Sequence, residues 1–78
     1  MPFPANLLSV RETEVLTLIA QGLLNKQIAD RLQIGLTTVI SHRRNIMQKL
    51  GVQSVAALVI CAVSMGYVDE SDIRTPHK

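Results

Sequence analysis

The chain has 78 residues, 47% of them hydrophobic, and a formal net charge of +2. This length suits one small domain, which we expect to be a fragment of something larger. The single cysteine, Cys61, cannot close an internal disulfide, which argues against a secreted, disulfide-stabilised domain. No basic leader opens the chain, and its longest apolar stretch is too short to cross a bilayer. We therefore expect a soluble, cytoplasmic domain with no membrane partner.

The basic residues are unevenly distributed along the chain. No acidic residue lies between Asp30 and Asp69. A stretch with one sign of charge is what a surface that binds a polyanion would need. The basic residues of this stretch are Arg31, Arg43, Arg44 and Lys49.

In chain order, residues 1–7 indicate a linker or an artificial chain end, and the first helix is predicted over 10–21. Ser9 and Glu12 have the spacing of a capping box, in which each side chain binds a backbone N–H of the first turn. Apolar residues follow at helical spacing, and Gly22 ends the helix.

The second and third helices are predicted over 26–32 and 36–50. Only the turn 33–35 separates them, and Asn25 can cap the second helix. Two helices joined by a short turn that contains a glycine are the layout of a helix-turn-helix. This unit is predicted over about residues 24–50.

A fourth helix is predicted over 55–65, and residues 68–78 are expected to form a frayed tail. The predicted fold is therefore all-α, with four helices in a domain over 8–67. The fourth helix is apolar almost all round, and a small domain can bury only one side of it. Pairing of two copies about a two-fold axis would cover the rest. The candidate dimer residues, of which one stripe must pack inward, are Val55, Leu58, Val59 and Ala62.

The third helix has an apolar seam and a polar face when its residues are placed about 100° apart. Val39, Ile46 and Leu50 form the seam. The opposite face can enter the major groove, where arginine bonds guanine O6 and N7. Taken alone, it suits a merely solvated helix equally well, but the short turn and the acid-free stretch favour DNA. The face consists of Thr37, Ser41, Arg44 and Gln48, with Ile40 and Asn45 on its shoulders.

Three segments of the chain read LSVRETEVLTLIAQG, NKQIADRLQI and TTVISHRRNIMQKLGV. Together they resemble the LuxR/FixJ-type (GerE-like) helix-turn-helix domain of bacterial transcription regulators, from about Leu8 to Val63. The resemblance implies a DNA-binding domain with its third helix in the major groove and a homodimer contact through the fourth. It further implies the output domain of a response regulator in a two-component system, with an upstream receiver or ligand-sensing domain. RNA polymerase is a further candidate partner.

Four positions depart from the family pattern. Leu24 stands where the family prefers Ser or Thr as a cap, a loss of ~1 kcal/mol unless Asn25 caps instead. Gly35 replaces a similar cap, and Val55 replaces a frequent arginine. Ile40 stands where the family commonly carries lysine, and it offers an apolar surface to a thymine methyl group. The resemblance therefore implies DNA binding but not the family's base preference.

The candidate DNA-binding residues differ in their expected roles. Lys26 is favoured as a phosphate contact near the start of the second helix. Ser41 and Arg44 are the best candidates for contacts to base edges, whereas Arg43 is expected to reach a phosphate along the domain edge. The remaining candidates suit phosphate, backbone or structural roles. The full set is Asn25, Lys26, Thr37, Thr38, Ile40, Ser41, His42, Arg44, Asn45 and Gln48.

The sequence offers no catalytic or metal-binding constellation. His42 has no second His or Cys at a useful spacing, Glu12 is explained by the capping box, and Glu14 can pair with a basic residue across the domain. An enzyme would also need a pocket with convergent polar groups. We therefore predict a non-enzymatic, cofactor-free domain that binds specific double-stranded DNA. The alternative is a protein-interaction or dimerisation module that has lost specific DNA binding, which Ile40 and the low net charge favour.

Overall fold

A computed structural model describes residues 7–69, and this part of the chain contains four helices and no strand. The all-α prediction is confirmed, and the helix bounds differ from the predicted ones by at most one residue. The predicted linker and tail lie almost wholly outside the described residues. The helices are α1 (Val10–Ala20), α2 (Asn25–Leu32), α3 (Leu36–Leu50) and α4 (Val55–Ser64).

The core forms where the apolar stripes of the four helices meet. α1 packs against each of the other three helices, and α2 and α4 also contact α3. Because a small domain has few residues to bury, each helix contributes at least one large aliphatic side chain to this one cluster. Fully buried examples, one from each helix, are Leu16, Ile28, Ile46 and Leu58.

The capping box at the start of α1 is confirmed. The Ser9 hydroxyl accepts from the Glu12 N–H at 3.1 Å, and Glu12 Oε1 accepts from the Ser9 N–H at 2.9 Å. These bonds satisfy two backbone donors that a helix start otherwise leaves without partners. At the other end of the helix, Gly22 has a φ of 93°, which suits a glycine after a helix.

Glu12 also joins α1 to α3, which the capping box alone did not indicate. The same Oε1 accepts from Lys49 Nζ at 2.7 Å. The prediction that Glu14 pairs across the domain is wrong, because Glu14 contacts Arg11 of its own helix at 3.5 Å. Burial raises the pKa of the Glu12 carboxyl, but the bonds from Lys49 and Ser9 together lower it by more. The pKa of Glu12 therefore lies below its ordinary value.

The start of α2 differs from the prediction. Asn25 is the first helical residue and not the cap, and the cap position belongs to Leu24, whose side chain accepts no hydrogen bond. Gln27 Oε1 accepts from the Leu24 N–H at 2.7 Å and so satisfies one donor. The capping prediction for Asn25 is wrong because its carboxamide oxygen instead accepts a bond from Arg43.

The turn between α2 and α3 is tight because Gln33 adopts a left-handed conformation with a φ of 57°. The Ile34 N–H then bonds back to the Ala29 carbonyl at 3.0 Å, which closes the end of α2. α3 begins directly afterwards, at Leu36. The turn therefore brings the start of α3 close to the end of α2.

Candidate nucleic-acid interface

The outward face of α3 is fixed by the apolar seam on its other side. Val39, Ile46 and Leu50 are buried, as the helical spacing predicted. The exposed positions include all the predicted α3 contacts except His42, which is half-buried on one flank. The exposed positions of α3 on this side are Leu36, Thr37, Thr38, Ile40, Ser41, Arg44, Asn45 and Gln48.

Arg43 links the outward helix to the start of α2. Its Nη1 donates to Asn25 Oδ1 at 2.8 Å, and both side chains are half-buried. Arg43 was expected to extend along the domain edge, but this bond directs it to α2. Because the Asn25 oxygen is occupied, the NH₂ group of its carboxamide is the part that can donate to an outside acceptor.

Lys26 lies exposed in the first turn of α2. The Leu24 side chain offers no acceptor to this turn, so backbone N–H groups at the helix start have no capping side chain. A helix start of this kind attracts an anion through its N–H groups and its dipole. The Arg43–Asn25 bond sets this start beside the outward face of α3.

The acid-free stretch between Asp30 and Asp69 contributes less positive charge to this surface than its four basic residues suggested. Lys49 is an ion-pair partner of Glu12 at 2.7 Å, so its charge is offset within the domain. Arg44 is exposed and Arg43 is half-buried against a neutral carboxamide, whereas Arg31 lies beside Thr17 of α1 and away from this surface. The outward charge therefore comes from arginines and from Lys26, which lies before the stretch.

An open groove of about 640 Å³ runs beside the second half of α3. Aliphatic side chains and two guanidinium groups share its lining. Leu36 lies four residues before Ile40, and therefore one turn away on the same flank. Sequence reasoning missed Leu36, although its spacing from Ile40 was the available indication. The groove residues are Ile40, Arg43, Arg44, Met47, Gln48, Gly51, Val52 and Gln53.

The apolar helix α4 divides into an inward and an outward side. Leu58 and Ala62 are fully buried in the core, so they form the inward stripe and a second copy cannot reach them. Val55 is exposed and Val59 is half-buried, so these two candidates remain. Ile60 was missed, yet its side chain is 66% exposed. Adjacent helical residues lie about 100° apart, so its position next to Val59 did not indicate which side it faces.

The part of the chain that the structure describes holds no cluster of three His, Cys, Asp or Glu side chains suited to a metal ion. Within residues 7–69, no single helix is long and apolar enough to span a membrane. α3 and α4 reach that length and hydropathy only as a pair bent by 67°. Each buried side-chain nitrogen or oxygen among these residues has a hydrogen-bond partner. The polar groups that remain for a ligand therefore lie on the surface.

The chain is similar in sequence to known bacterial regulatory proteins. Residues 6–62 match the family described as bacterial regulatory proteins, luxR family. The chain is 51% identical over 61 residues to the uncharacterized response regulatory protein YgeK of Escherichia coli strain K12, covering 78% of this chain and 42% of that protein. It is 44% identical over 66 residues to the oxygen regulatory protein NreC of Staphylococcus carnosus, covering 85% of this chain and 30% of that protein. The chain thus spans less than half the length of these relatives.

Proposed function

The chain belongs to the luxR family of bacterial regulatory proteins, and from this premise we propose that α3 enters the major groove of specific double-stranded DNA sites. The family consists of helix-turn-helix DNA-binding domains of transcription regulators and is not enzymatic. The observation that carries the finer proposal is the outward face of α3, which is polar and basic and is held by a buried seam.

Arg44 and Ser41 are the proposed contacts to base edges. Both are exposed on the outward face, opposite the buried Val39. The short side chains of Thr37 and Ser41 allow the helix backbone to approach the groove floor. The Arg44 guanidinium can then bond guanine O6 and N7 in pairs, which supplies sequence preference.

Phosphate contacts from α2 would fix the position of α3 along the DNA. Lys26 offers a charge, and Asn25 offers its carboxamide NH₂ group beside it. Because the Arg43–Asn25 bond of 2.8 Å ties this helix start to α3, a phosphate held there positions α3 in the groove. The remaining polar candidates of α3 flank the same face and are proposed contacts to the DNA backbone. They are Thr38, His42, Asn45 and Gln48.

Two copies are proposed to pair through the outward side of α4. On this side, Ile60 is 66% exposed and Val55 is 41% exposed. Covering these apolar side chains with a second copy would favour the dimer. A two-fold dimer would present two copies of α3 to paired half-sites about one helical turn, ~34 Å, apart. Val59, half-buried between these residues, completes the proposed contact.

We further infer that the chain is the output domain of a longer response regulator of a two-component system. One relative is named a response regulatory protein, and the chain covers only 42% of its length. The rest of such a protein leaves room for a receiver or ligand-sensing domain. A cytoplasmic location and contact with RNA polymerase follow from the same proposal.

The proposal is tested by selecting bound duplexes from a random pool, with the chain and with the variant Ile60→Lys. We expect one selected sequence with two related half-sites. Ile60→Lys should weaken binding to the paired site by at least about tenfold, because the avidity of two linked contacts is lost. Its affinity for a duplex with one half-site should not change.

The matched control is Val10→Lys, which places the same charge on α1 at a side chain that is 80% exposed. It should bind as the unaltered chain does. If the chain enriches no duplex, the protein-interaction module, which the exposed Ile40 and Ile60 favour, replaces the DNA-binding proposal. If Val10→Lys and Ile60→Lys behave alike, the α4 dimer is rejected.

A further inference from the structure

An aliphatic flank interrupts the polar outward face of α3. Leu36 is 47% exposed and Ile40 is 40% exposed, and they lie one helical turn apart. The next residue on the same ridge is Arg44, which is exposed and lines the same groove as Ile40. Exposed aliphatic surface is unfavourable in water, so burying this flank against an apolar group of a partner is favourable.

The thymine C5-methyl is the apolar group that the major groove presents. Guanine presents only the acceptors O6 and N7 there, which suit an arginine. Residues four apart on a helix have Cβ atoms about 5–6 Å apart, which corresponds to one or two base-pair rises of about 3.4 Å. Ile40 and Arg44 can therefore contact a thymine and a guanine that lie within two base pairs of each other.

We propose that Ile40 is a specificity-determining residue that contacts a thymine methyl group beside the guanine bound by Arg44. This inference rests on the proposed DNA-binding function. The charge of the groove favours DNA over an apolar protein segment, because the guanidinium groups of Arg43 and Arg44 lie in the same lining as Ile40. Leu36 extends the aliphatic contact one turn toward the start of α3.

The test replaces each thymine of the selected half-site in turn with deoxyuridine, which removes the methyl group and leaves the base pair intact. At one position near a guanine, the unaltered chain should lose affinity by about fourfold, the value of one buried methyl group. Ile40→Ala should bind the thymine and deoxyuridine duplexes equally. Ile40→Val, which keeps a branched side chain, should retain part of the discrimination.

Val10→Ala, an equally conservative change on α1, is the control. It should retain the preference for thymine over deoxyuridine of about fourfold. Circular dichroism of each variant checks that the helices are intact. The inference is overturned if the chain tolerates deoxyuridine at every position, or if Ile40→Ala keeps the preference, since the methyl group then acts through another side chain or DNA shape. If the chain enriches no duplex at all, the proposed DNA-binding function, on which this inference rests, is itself overturned.

Discussion

Two side-chain hydrogen bonds between residues distant in sequence connect α3 to α1 and α2. Glu12 Oε1 accepts from both Lys49 Nζ and the Ser9 N–H, at 2.7 and 2.9 Å. Arg43 reaches Asn25 at 2.8 Å. The capping box was visible in the sequence because its partners are three residues apart. The bonds to Lys49 and Asn25 were not, because helical spacing indicates which side a residue faces but not which distant residue meets it.

The Glu12–Lys49 pair makes stability depend on pH. The pKa of Glu12 is lowered by folding, so its contribution is present above the ordinary glutamate pKa of about 4.3 and is lost as pH falls through the folded value. Glu12→Gln keeps an acceptor for the Ser9 N–H and removes the ion pair. We expect it to lower the free energy of unfolding at pH 7 by about 1 kcal/mol, because Lys49 is partly solvated.

Urea denaturation at pH 7 and pH 3 measures this effect. The difference between the chain and Glu12→Gln should shrink at pH 3, because the carboxyl of the unfolded chain, with its ordinary pKa of about 4.3, is mostly protonated there. The control Glu14→Gln alters an exposed pair of 3.5 Å and should change stability by less than about 0.5 kcal/mol. An equal loss for Glu12→Gln at both pH values would exclude the ion pair as the cause.

Among the elements, the helices were predictable nearly to the residue because their stripes, caps and terminal glycines are local features. The identity of the cap of α2 and the left-handed conformation of Gln33 in the turn after it were not. Leu24 occupies a cap position that its side chain cannot serve, and Gln33 adopts a conformation that favours glycine. Backbone bonds are still made around both positions, because the Leu24 carbonyl accepts from the Ile28 N–H at 2.9 Å and the Ala29 carbonyl accepts from the Ile34 N–H at 3.0 Å. Local preference alone therefore could not predict these two features.

Leu24→Ser should stabilise the domain, because a serine hydroxyl can accept from the Gln27 N–H and complete the capping box begun by the Gln27 side chain. Leu24 is 70% exposed, so little apolar contact is lost. We expect a gain of about 1 kcal/mol, or roughly 4–8 °C in the thermal midpoint of a domain this small. Calorimetry measures it, with Leu24→Ala as the control that removes the leucine without adding a cap. Equal midpoints for the two variants would contradict the capping explanation.

At the scale of the whole molecule, the proposed functions lie on different sides of one small core. The starts of α2 and α3 carry the proposed DNA contacts, and α4 carries an exposed apolar side. The sequence predicted this division and most of the outward face of α3. It could not separate the two stripes of α4, because a helix that is apolar all round has no polar face to show which side is buried. Burial in the structure assigns Leu58 and Ala62 to the core.

The central claim is that the outward face of α3 reads DNA sequence while α2 holds the backbone. The most direct measurement is the affinity of the chain, of Arg44→Ala and of Lys26→Ala for the selected site and for its single base-pair variants at fixed salt. Arg44→Ala should lose about 1–3 kcal/mol on the selected site and relax the preference at one position. Lys26→Ala should weaken binding to all these duplexes alike, while Arg11→Ala on α1 should bind unchanged. Equal affinities of all four proteins for every duplex would contradict the account.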